Sequence, residues 1–95
     1  MNKSQLYNIK KYSFDKAREL GVKIQASEKG FYKIDVFDKD NKYITSIGDR
    51  RYFDFPSYLE TDGQEVAEKR RKLYHQRHKK SKEGIRGFYA LNLLW

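Results

Sequence analysis

The sequence predicts an α+β domain in which a small three-stranded antiparallel sheet is packed by a long basic helix and a short N-terminal helix. Three observations lead there. The chain has 95 residues, room for one folding unit (1–95); apolar residues recur at a period of two through residues 22–47; and residues 64–82 are helix formers almost throughout. With 38% apolar and 36% charged residues the core is thin, so eight Tyr, six Phe and one Trp must supply much of its volume.

The N-terminal helical segment (1–21) contains SFDKAREL, with Ser13 as N-cap, Asp15 in the first turn, Phe14, Ala17 and Leu20 at helical spacing and Gly21 as the stop. In the β-meander (22–48), Val22, Ile24 and Ala26 alternate with Lys23 and Gln25, and Tyr32, Ile34 and Val36 alternate with Lys33, Asp35 and Phe37. After Asp38-Lys39-Asp40-Asn41 the run KYITSI resumes the pattern, so the second and third strands form a hairpin. Such a meander buries one face and needs helical cover. Residues 49–63 read as an aromatic loop, with Tyr52, Phe53, Phe55 and Tyr58 around Pro56. The basic helix (64–82) carries Glu65 and Glu68 near its start and bases toward its end, which complements the helix dipole. Gly84 and Gly87 break the chain before a hydrophobic C-terminal segment (85–95) that fits either a helical turn or two or an edge strand, docked in either case.

The net charge of +8 is held in one place. Residues 69–82, KRRKLYHQRHKKSK, contain eight of the 21 bases, two His and no acid; the other 81 residues carry 13 bases against all 13 acids. This is the electrostatic footprint of a chain that meets an anionic partner, with nucleic acid first among the candidates.

On the basic helix, Val66, Ala67, Arg70, Leu73, Tyr74 and Arg77 share one side at steps of three, four and seven. Arg70 and Arg77 then lie inside the apolar stripe and call for acceptors, for which Asp49 and Asp54 are the candidates. Lys69, Arg71, Lys72, Lys79, Lys80 and Lys82 form the outer anion-binding surface, with Arg70, Arg77 and His78 as mixed structural and binding residues. Tyr52, Tyr58 and Tyr89 are candidates for stacking on single-stranded bases, although core filling is the commoner use of such rings. Asn and Gln are sparse on the helix, so binding should be mostly to phosphate and weakly selective for sequence.

Other chemistry finds little footing. No Gly-rich phosphate loop, cysteine nucleophile or serine elbow is present, which points away from an enzyme and from a cofactor. The absence of cysteine excludes disulfides and thiolate metal sites and fits a reducing compartment. His75 and His78 form an H-x-x-H pair without a third His, beside repelling lysines, so no metal site is expected. Asp38 to Asp49 starts like a calcium loop but has Tyr43 where Gly is needed and Asp49 where Glu is needed, so a hairpin turn explains it better. The start lacks a signal-peptide apolar run, and the longest apolar stretch, Phe88 to Trp95, falls far short of the roughly 20 residues a bilayer span needs, so no membrane is expected among the partners.

Ile47-Gly48, Tyr52-x-Asp54-Phe55, Arg70-Arg71-x-x-Tyr74-x-x-Arg77-His78-Lys79-Lys80 and Leu93-Leu94-Trp95 together resemble a family of small basic proteins of large DNA viruses of algae and amoebae, with similar proteins in some phages. The resemblance covers residues 43–95 and implies a viral context, in the virion or the host cytoplasm, without a known activity. Within that context the chain binds viral nucleic acid, or it is an auxiliary or minor capsid component whose basic helix docks on an acidic surface of a capsid protein. An inhibitor of a host defence nuclease is a third class, against which the positive charge counts.

Overall fold

Seven elements follow one another in a computed structural model that describes residues 6–78 and 84–95: α1 (Lys11–Leu20), β1 (Lys23–Ala26), β2 (Tyr32–Phe37), β3 (Tyr43–Asp49), α2 (Phe55–Thr61), α3 (Gln64–Arg77) and α4 (Ile85–Leu94). The α+β class and the three-stranded antiparallel sheet are as the sequence predicts.

Helix α1 starts at Lys11, ahead of the expected cap, because Ser13 has another task. Its buried hydroxyl donates to the Leu93 carbonyl at 2.7 Å and ties α1 to α4. Gly21, at φ +73, closes the helix in the left-handed conformation and its N–H serves the Ala17 and Arg18 carbonyls.

The sheet has the order β1-β2-β3. Ile24 pairs with Val36, Ala26 with Ile34, and Ile34 in turn with Ile47, so the apolar set of each strand lies on one face. Ile34, Val36 and Ile47 make the core with Ala17 of α1 and with Leu93 and Leu94 of α4. The hairpin turn is built as a turn and not as a cation loop. The Asp38 carboxylate accepts the Asp40 and Lys42 N–H groups at 2.8 and 2.9 Å, and Asn41 takes the left-handed conformation at φ +67. The alternate residues of β2 do not face water. Lys33 and Asp35 are both buried, Asp35 against Ser46 (2.6 Å) and Lys29 (3.2 Å), and Lys33 against Asp54 (2.6 Å).

Two elements correct the sequence reading. Residues 49–63 are not a loop throughout, because Asp54 caps α2 by accepting the Ser57 N–H at 2.9 Å, and Pro56 in the first turn presets the helical φ. The C-terminal segment is a helix that includes Gly87, so only Gly84 precedes it.

Helix α4 lies on β3 and against α1, while α3 lies against α2. The side of α3 that faces the protein is set by Ala67, fully buried, followed by the partly buried Arg71, Tyr74 and His78. Val66 and Leu73, expected on the inner stripe, are 37% and 46% exposed, so the helix is rotated relative to the stripe that the larger apolar side chains define. The end of the predicted basic helix, with Lys79, Lys80 and Lys82, lies outside the described residues. Among the described residues no helix is long and apolar enough to cross a membrane.

Candidate nucleic-acid interface

Helix α3 is held at two places. At its start, Ala67 allows close approach to α2, and Arg71 lies over the Phe55 ring (4.4 Å) while pairing with Glu68 at 3.2 Å. Toward its end, Tyr74 is clasped between His78 (4.1 Å, 26°) and Trp95 (4.3 Å, 8°). Burial pushes the Tyr74 phenol above the ordinary tyrosine range, with Arg77 opposing the rise. The His75 ring lies 3.4 Å from the Trp95 carbonyl oxygen, which steadies the same junction.

The stack of His78, Tyr74 and Trp95 separates two concavities. On one flank, Lys69 and Lys72 join Lys16 of α1 around a groove of about 980 Å³ that also holds Glu65 and Glu68. On the other, Arg70 and Arg77 look across a cleft of about 580 Å³ toward Tyr52, Phe53 and Tyr58. His78 and Trp95 line both.

Among the described residues, Lys69, Lys72 and Arg77 are exposed and have no carboxylate partner, and Arg70 meets only the Tyr58 ring, at 5.4 Å. The carboxylates expected to satisfy Arg70 and Arg77 are occupied elsewhere. Asp49 forms a two-pronged pair with Arg51 (3.0 and 2.7 Å), whose hydrogen bonds lower its carboxyl to about 2. Asp54 is buried and holds Lys33 and the Tyr7 hydroxyl at 2.6 and 2.7 Å. Arg70 and Arg77 are therefore surface groups, and Arg71, expected outside, is the arginine that packs.

Of the tyrosines proposed for stacking, Tyr52 and Tyr58 reach the cleft beside Arg70 and Arg77, while Tyr89 packs on the core and against Phe88. Phe53, Lys33 and Trp95 also line it and were not foreseen there. The adjacency of Phe53 to Tyr52 is the one signal that the sequence offers for them. His75 and His78 do not gather further ligands, since no group of three or more His, Cys, Asp or Glu converges among the described residues. Comparison with known protein families, with curated proteins and with solved structures finds no match to the chain.

Proposed function

We propose that this chain is a non-enzymatic nucleic-acid-binding protein that grips the phosphate backbone through α3, in the viral setting that the resemblance implies. The observation that carries it is the exposure of Lys69, Lys72 and Arg77, without carboxylate partners among the described residues, on a segment that holds the whole net charge. Exposed cations that no protein carboxylate neutralises gain most from displacing the counterions of a polyanion. The 14 residues of α3 extend about 21 Å, a span of about six phosphates along one strand. Gln76 is the only amide side chain in the basic stretch, so backbone contacts outweigh readout of base edges.

Fluorescence anisotropy with a labelled short duplex and a labelled single strand tests the proposal. If about five phosphates are neutralised, log K falls against log salt between roughly 50 and 200 mM with a slope of about −4 to −5 on the duplex and about −3.5 on the single strand. The triple variant Lys69→Glu, Lys72→Glu, Arg77→Glu, confined to exposed positions, loses the interaction. No binding at low salt overturns the proposal.

One observation favours a second reading, an auxiliary or minor capsid component. Ile85 and Phe88 are exposed on α4, where an apolar surface suits burial against a shell protein. Weak salt dependence and stoichiometric presence in purified particles would support it.

A further inference from the structure

The cleft between α3 and the Tyr52–Tyr58 segment differs in chemistry from the rest of the basic surface. Its volume, about 580 Å³, lies within the range of small-ligand sites. Tyr58 is engaged from several sides, by Phe53 at 5.2 Å, by Trp95 at 6.3 Å and by the Arg70 guanidinium. Tyr52 is not. It is 68% exposed, and among the described residues its one ring contact is the Arg51 guanidinium at 6.0 Å. Phe53 beside it is 49% exposed. Two aromatic surfaces are thus held open to water at the mouth of a cleft.

The opposite wall supplies charge. Arg70, Arg77 and His78 face the cleft, and the one acid that lines it among the described residues, Asp49, is neutralised by Arg51. A purely apolar ligand would leave the guanidinium groups unused, and a free inorganic anion would leave the rings uncovered. A nucleotide uses both, because its base has a flat π face and its phosphates are anionic. A paired base is already stacked within its duplex and offers that face only when it is extruded or single-stranded.

We infer that this cleft takes an unpaired base of a single-stranded nucleic acid, stacked on Tyr52 and Phe53, while Arg70 and Arg77 hold the flanking phosphates. The inference rests on the phosphate-binding function proposed above and adds to it a preference for single strands.

The test compares oligothymidylate with an abasic strand of equal length, which carries the same phosphates and no bases. The intact chain binds oligothymidylate about tenfold or more tightly than the abasic strand, the effect of one stacked base. Tyr52→Ala combined with Phe53→Ala, both at exposed positions, brings the two affinities together by weakening oligothymidylate binding alone. Trp95, the one tryptophan of the chain, lines the cleft, and its emission changes with oligothymidylate and not with the abasic strand. Equal binding of both strands by the intact chain overturns the base site and leaves phosphate binding standing. A preference that survives the double variant, or unchanged Trp95 emission, overturns its placement in this cleft. If neither strand binds, the base site falls, and phosphate binding falls with it when the duplex is not bound either.

Discussion

Replacing Asp54 with Asn removes one charge from the most deeply buried ion pair among the described residues. The side chains of Lys33 and Asp54 are 4% and 1% exposed, with 2.6 Å between Nζ and Oδ2. The same carboxylate oxygen accepts the Tyr7 hydroxyl at 2.7 Å, and the other accepts the Ser57 N–H that starts α2 at 2.9 Å. The amide preserves shape and one acceptor, so the cap of α2 survives while the Lys33 ammonium loses its counter-charge. At an effective dielectric constant of about 20, charges 2.6 Å apart attract by about 6 kcal/mol, and stripping one partner from a buried pair costs about 3–5 kcal/mol. A domain of 95 residues has about 5–14 kcal/mol in all. Asp54→Asn therefore loses a large part of its margin, read in urea denaturation followed by circular dichroism as a midpoint lower by about 3–5 M for an m-value near 1 kcal/mol/M. Adding Lys33→Met removes the stranded ammonium and recovers about 2 kcal/mol or more. A cost below about 1 kcal/mol for Asp54→Asn, or no recovery in the double variant, refutes the premise that this pair is buried and mutually dependent.

Gly48 sits at φ +77, and a Cβ there would lie 2.7 Å from Leu94 Cδ1 and 3.0 Å from the Lys33 stem. Gly48→Ala adds left-handed strain of about 1 kcal/mol to overpacking of about 1–3 kcal/mol, so Tm falls by about 10 °C or more; a shift of a degree or two would mean that Leu94 can retreat freely. Tyr7 titrates above the ordinary tyrosine range, first because it is buried and then because the Asp54 charge and hydrogen bond disfavour the phenolate. The folded chain thus keeps a proton that the unfolded chain releases, so this stabilisation is complete below about pH 10 and is lost as pH rises beyond it. Chemical denaturation across that range gives a shallower alkaline decline for Tyr7→Phe than for the parent chain, and equal declines would dismiss Tyr7 as the cause.

The parts of the fold that depend on local chemistry were legible from residue order. Alternation in 22–47, the Asp38–Asn41 turn and the Gly21 stop act through near neighbours, and each is found where the sequence puts it. Helix α2 was concealed by its aromatic residues, which mask helical periodicity, although Asp54 followed by Pro56 is a start signal that was present. The rotation of α3 was not legible. Val66 and Leu73 define the more apolar stripe, but packing against α2 selects the small Ala67 and the clasp selects Tyr74, and both depend on partners distant in sequence. Lys33 and Asp35 occupy alternate strand positions that normally face water, and nothing local announces that Asp54, Ser46 and Lys29 enclose them. In the candidate site, the basic stretch was visible as composition, whereas the meeting of Tyr52 and Phe53 with Arg70 and Arg77 across a cleft is a product of topology.

Only Ala67 among the residues of α3 is buried. The helix is attached by one small residue, by Arg71 over the Phe55 ring and by one aromatic clasp, and its remaining surface carries almost no obligation to the core. Stability is consequently encoded mostly outside α3, and the outer turns of that helix are left free to vary. Substitutions along the outer turns can rewrite charge, spacing and sign while the sheet and α4 keep the scaffold unchanged, so the surface chemistry of this helix can change without a new fold.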